Sequence, residues 1–113
     1  MKYDLENRTN LFAKSIRSWL KKLSRDVVTL EDSKQLTRSS GSIGANYIEA
    51  NEALGKKDFQ MRIRIAKKEA KESLHWLDLL EQSNSDLEKE RLILSQECKE
   101  IMYILGAILR NSQ

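Results

Sequence analysis

The chain has 113 residues, no proline, four glycines and 33% charged residues, with 20 Lys and Arg against 17 Asp and Glu and a net charge of +3. This composition suits one domain of long, solvent-bathed helices and excludes a sandwich or barrel, whose many turns draw on glycine and proline. No apolar run approaches the ~18 residues of a membrane span, the start MKYDLENRTN lacks a signal peptide's apolar stretch, and the lone Cys98 cannot form an internal disulfide. The expectation is a cytoplasmic protein without membrane contact.

In chain order, Leu5, Phe12, Ile16, Trp19, Leu23 and Val27 recur by sevens, fours and threes, as one face of an amphipathic helix does. Lys14, Arg17, Lys21 and Arg25 form a basic stripe opposite. SRDVVTLED interrupts the pattern, and Thr29 with Asp32 has capping-box-like spacing. A second helix carries Leu36, Ser40, Ile43, Tyr47, Ala50 and Leu54, and Gly55 is expected to end it in a left-handed conformation. Asp58 is expected to cap a third helix with Phe59, Ile63, Ala66, Ala70, Ser73, Leu77 and Leu80 inward. After QSNSD, Ser85 and Glu88 form a capping box for a fourth, with Leu87, Leu94, Cys98, Ile101, Leu105 and Ile108 inward. Helices over approximately 4–25, 30–54, 58–82 and 86–110 read as an all-α, antiparallel up-down-up-down four-helix bundle filling residues 1–113.

The second helix contains RSSGSIGANYIEA, rich in residues that weaken a helix, with glycine costing about 1 kcal/mol against alanine. Small side chains let a neighbouring helix approach closely. Arg38, Ser42, Asn46 and Glu49 are the structural polar candidates of this segment, and Asn46 and Glu49 are expected to hydrogen-bond across the tight contact. Bundles build both packing seams and ligand sites from facing helices, and the packing reading is preferred here. Met61, Ile65, Trp76 and Leu79 form a second apolar stripe on helix three, while IMYILGAIL, with Tyr103, is apolar on every side. A surplus of this kind predicts cover by another subunit.

Catalytic constellations are missing. His75 is the only histidine and phases outward, a second Glu-x-x-His pair for a di-metal site cannot exist, and GSIGANY has neither the preceding strand nor the lysine of a phosphate-binding loop. The sequence therefore predicts no enzyme, no cofactor and no metal. Basic surface remains: Lys14, Arg17, Lys21 and Arg25 on helix one, and Lys57, Arg64, Lys68 and Lys71 on helix three. Cations in a row suffice for phosphate contacts, and also for an ordinary solvated face.

QLTRSSGSIGANYIEANEA followed by KKDFQMRIRIAKKEAKESLHWLDLL resembles the four-helix bundle proteins encoded by intervening sequences in bacterial 23S rRNA genes. Arg38, Ser42-Ile43, Asn46 and Glu49 match that family's helix-two pattern, and Phe59, Ala66 and Glu72 its helix-three pattern. Ala50 departs from a frequent glycine and Glu69 from a frequent small residue. The resemblance implies a bundle that assembles as a homopentamer. It is also similar to the accessory protein of diversity-generating retroelements, which implies nucleic acid and, in a retroelement setting, a reverse transcriptase as partners. The functional expectation is a non-enzymatic oligomer of otherwise unknown function that binds RNA or DNA. The alternative is a protein-directed scaffold or adaptor.

Overall fold

The structure, a computed structural model, describes residues 4–113. The first three residues of the amino-terminal stretch considered for a signal peptide lie outside the described residues. Four helices follow in order: α1 Leu5–Leu20, α2 Val27–Asn51, α3 Lys56–Leu79 and α4 Ser85–Asn111. None is long and apolar enough to cross a membrane.

Each start has a local cause. The Asp4 carboxylate accepts the Asn7 amide at 3.2 Å and caps α1. At α2 the cap is Asp26, which accepts the Thr29 amide and hydroxyl at 2.9 Å each, rather than a Thr29–Asp32 box. Because the aspartate precedes both valines, the helix begins at Val27, and β-branching does not break it. Gly55 is extended at φ −164° and precedes α3 as its N-cap; no glycine among the described residues has positive φ. Asp58 consequently sits inside the first turn of α3, where its charge complements the helix dipole without capping. Asn84, not Ser85, caps α4 through the Leu87 amide at 3.0 Å. Glu88 reaches back further than a capping box would, to the Gln82 amide at 2.9 Å.

Contacts between helices run in opposing residue order, which fixes the antiparallel up-down-up-down arrangement. Gly44 and Gly41 of α2 meet Thr9 and Arg17 of α1; Arg38 and Asn46 meet Glu69 and Arg62 of α3. From α3, Gln60 and Ala70 meet Ser112 and Cys98. Arg8 of α1 and Lys22 in the turn that follows it close the square on Glu97 and Glu90 of α4. Helices α1 and α3 thus occupy diagonal corners, as do α2 and α4, in a body 45 × 27 × 19 Å.

The four expected inward stripes converge on one core. Ile16, Leu36, Ile43, Ile63, Leu77, Ile101 and Leu105 are fully buried, and Trp19 closes one end. Two stripe members leave it. Val27 is 76% exposed because it starts α2 instead of ending α1, and Leu54 is 102% exposed because α2 stops at Asn51. Cys98 packs as a small hydrophobe; its Sγ donates to the Ala70 carbonyl at 3.2 Å, and burial pushes the thiol up to about 12.

The small residues of α2 serve two seams. Toward α3, the Ser39 and Ser73 hydroxyls hydrogen-bond at 2.8 Å in the dry interior. Toward α1, a Cβ added at Gly44 would lie 2.8 Å from Thr9 Oγ1, and one at Gly41 would lie 3.1 Å from an Arg17 guanidinium nitrogen. The absent side chains therefore set the α1–α2 spacing.

Candidate nucleic-acid interface

Five cations among the described residues stand in ion pairs, one of them Lys34, which meets Glu31 within α2. Arg8 is held by Glu97 and Glu100, Lys22 by Glu90, Arg38 by Glu69 and Glu72, and Arg91 by Glu88. These pairs tie neighbouring helices together or fasten the start of α4. Lys14, Arg17, Lys21, Arg25, Lys57, Arg64, Lys68 and Lys71 take part in none of the ion pairs among the described residues, and all except Arg17 are exposed.

Arg17 corrects the expectation that it points away from the bundle. It is half-buried, lies over Gly41 and donates to the carbonyls of Ala13 at 3.1 Å and Thr37 at 3.2 Å. Only a glycine at 41 leaves room for the guanidinium to lie down in the α1–α2 groove. Lys21 and Arg25 stand beside it at the groove mouth, and Lys34 of α2 joins them from the opposite wall. Lys34 was hidden from a helix-by-helix reading; its signal is its place three residues before Thr37 and seven before Gly41, on the α1-facing side of α2. Lys14 lies farther along the same groove.

The α3 cations occupy a separate place. Lys68 and Lys71 line a shallow groove between α2 and α3 with His75, Trp76 and the Arg38–Glu72 pair. The ring of exposed His75 meets Trp76 edge-on at 4.9 Å. Since α1 and α3 are diagonal, the two basic stripes form two edges of the molecule, not one surface.

The helix-two polar residues are largely engaged within the chain. Arg38 bridges to α3, with nitrogens 2.8 and 3.2 Å from the Glu69 carboxylate and 3.1 Å from Glu72. Burial alone would raise the Glu69 carboxyl, but the hydrogen bonds from Arg38 bring it below the usual range. The glutamate that departs from the family pattern is thus the partner of a matching arginine. Ser42 bonds back to the Arg38 carbonyl at 2.9 Å and Asn46 to the Ser42 carbonyl at 2.9 Å, while Arg62 reaches Asn46 Oδ1 at 3.4 Å. Glu49 differs from the expected cross-helix link: it is exposed and joins no ion pair among the described residues. The reason is phase, since Ala50 takes the inward position beside it.

Of the apolar residues left over, Met61, Leu79 and Tyr103 are 46%, 51% and 65% exposed, while Ile65 and Trp76 are half-buried. Lys68 and Glu72 interrupt the α3 stripe between Ile65 and Trp76. Sequence reading missed a second apolar groove between α1 and α4, about 430 Å³, flanked by Leu11 at 53% and Ile93 at 69% exposure. Their signal is apolar runs too dense for one stripe, Leu11 beside Phe12 and Ile93 within LIL.

Four carboxylates hold low proton affinity in the folded chain. Ser24 and Thr29 hold Asp26 near 2, and Arg91 with the Gln82 amide holds Glu88 near 2. Glu69 is lowered as described, and hydrogen bonds from Gln96 and Arg8 lower Glu100. Folded affinities lie below the unfolded values of about 4, so these groups stabilise the fold above that pH and lose their contribution as pH falls toward about 2. Urea midpoints should agree at pH 7 and 5.5 and drop at pH 3. An unchanged midpoint at pH 3 would contradict these assignments.

No curated protein matches the chain. The crystal structure of a protein with unknown function from the S23 ribosomal protein family of Bacteroides thetaiotaomicron is similar in shape, with a TM-score of 0.80 and 31% identity over 92% of this chain and 96% of that one. The family model described as 23S rRNA-intervening sequence protein matches residues 2–107. With that span matched, and with the helix-two and helix-three residues standing in the bundle just described, the chain belongs to the 23S rRNA-intervening sequence protein family.

Proposed function

We propose that this chain is a non-enzymatic, cytoplasmic, homo-oligomeric bundle that binds RNA or other nucleic acid through its basic edges. The carrying observation is the placement of cations: eight along two edges stay out of the ion pairs among the described residues, while Arg8, Lys22 and Arg38 are spent on carboxylates of neighbouring helices. Free cations in rows neutralise phosphates without reading bases. The diagonal placement of α1 and α3 gives each protomer two such edges. Assembly multiplies them, so individually weak contacts act together. Exposed Leu11, Ile93, Met61 and Leu79 support assembly, and the family resemblance supplies five as the subunit number.

The test is a gel-shift series with rRNA fragments, tRNA and duplex DNA at low salt, after light scattering has established the particle mass. Retardation is expected, weakened by Arg64→Glu/Lys68→Glu without loss of assembly. A 13.1 kDa particle would remove the oligomer. Absence of retardation with every probe would leave the adaptor reading, which the apolar α1–α4 groove favours.

A further inference from the structure

The mouth of the α1–α2 groove differs from the other concave stretches of basic surface in having no carboxylate in its lining. It encloses about 510 Å³, within the roughly 300–1,000 Å³ of small-ligand sites. Four cations line it, Arg17, Lys21 and Arg25 from α1 with its following turn and Lys34 from α2, and no carboxylate does. Asp26, the nearest acid in sequence, is turned onto its own helix by Thr29 and Ser24. Glu31 reaches Lys34 only at 3.4 Å, on the exposed surface. Arg17 uses two guanidinium nitrogens on backbone carbonyls, which fixes its plane in the groove and leaves the remaining N–H donors for a ligand. Leu20, Leu23 and Leu30 supply apolar surface, and the Ser33 hydroxyl adds a neutral donor.

We infer that this mouth is a nucleotide-phosphate site, in which the phosphate of one nucleotide lies among Arg17, Lys21, Arg25 and Lys34 while its base covers the leucines. The inference rests on the nucleic-acid reading and narrows it to unpaired strands. Four clustered cations match the charge and multiple acceptor oxygens of a phosphate better than a single carboxylate. A duplex turns its bases inward and cannot lay one on an apolar floor, whereas a single strand or a free nucleotide can. With leucine in place of an aromatic ring, base identity should matter little. The α2–α3 groove fails the same description because Glu72 lines it alongside Lys68 and Lys71.

The experiment uses the full chain and a fluorescein-labelled eight-nucleotide uridine RNA, read by anisotropy at low salt. Lys21→Glu/Lys34→Glu should weaken binding at least tenfold, and Lys89→Glu/Lys99→Glu, an equal change in charge at exposed lysines of α4 away from both basic edges, less than threefold. Circular dichroism melts should show that both variants fold. Competition by uridine monophosphate assigns the pocket to free nucleotides, and competition by unlabelled strand alone assigns it to strands; either supports the site. Equal loss in the two variants overturns the pocket while nucleic-acid binding stands. Equal competition by same-length duplex RNA or by a polyglutamate peptide also overturns it. Binding of uridine monophosphate, measured by equilibrium dialysis, with none of the strand would leave the pocket and remove the nucleic-acid reading. Binding of neither would remove both.

Discussion

Trp19→Ala is expected to lower stability by about 3–5 kcal/mol, the range for truncating a large buried aromatic. Trp19 is 2% exposed and its indole N–H donates to the Leu87 carbonyl at 3.0 Å. The side chain therefore does two jobs: it fills the end of the core and ties α1 to the first turn of α4 through its indole N–H. That turn is also where Glu88 holds Arg91, whose guanidinium donates to the Leu77 carbonyl at the end of α3 at 3.2 Å. Losing the indole opens the junction of α1, α3 and α4 together. Against a total stability on the order of 5–15 kcal/mol, such a loss is a large fraction. Circular dichroism should show a melting temperature lower by on the order of 15 °C. Trp19→Phe should cost less, about 1–2 kcal/mol, because most packing survives and only the hydrogen bond is lost. Equal melting of wild type and Trp19→Ala would contradict the placement of this side chain.

The second large effect is at Gly44. Adding a Cβ there brings it 2.8 Å from Thr9 Oγ1 and 3.3 Å from Thr9 Cβ. Thr9 has nowhere to go: it is 1% exposed, β-branched, and its hydroxyl donates to the Leu5 carbonyl at 2.6 Å. Helix α1 must move away from α2. Gly44→Leu is expected to destabilise by about 3 kcal/mol, the upper part of the usual overpacking range. Gly44→Ala adds the same Cβ, and roughly 1 kcal/mol of improved helix propensity offsets the clash only in part, so a net loss smaller than that of Gly44→Leu should remain. The pair can be tested by a double-mutant cycle, since removing the hydroxyl with Thr9→Ala should make Gly44→Ala cheaper. Strict additivity of the two would contradict the contact. Gly41→Ala should behave differently: its nearest neighbour is the flexible end of Arg17, 3.1 Å away, which can swing aside at little cost in stability.

The helices and their inward faces were legible because periodicity is a property of one element, read without its neighbours. Ile43, Ile63, Leu77 and Ile101 all reach zero exposure at positions where the stripes placed them. Helix ends were less legible. Asp26 and Asn84 took the caps from the Thr29 and Ser85 neighbourhoods because several capping residues stand within a few positions at each start, and only the path of the chain selects one. The close α1–α2 approach was legible as a run of small residues, but not which side chains would fill it. That Arg17 would lie over Gly41, and that Lys34 would face Lys21 and Arg25, are facts about two helices at once. Glu49 misled because exposure of one turn depends on whether Ala50 or its neighbour faces the core. The division between paired and unpaired cations was equally invisible, since every partner of Arg8, Lys22 and Arg38 lies on a different helix.

The most direct test of nucleic-acid binding through phosphate contacts is the affinity for a structured rRNA fragment, measured from about 50 to 200 mM salt. Each phosphate neutralised should contribute between about −0.7 and −0.9 to the slope of log affinity against log salt. An assembly engaging four or more of its free cations should therefore lose affinity with a slope steeper than about −3, and Lys14→Glu/Lys21→Glu should make that slope shallower. Binding that does not change with salt, or no binding at the lowest salt, would contradict it.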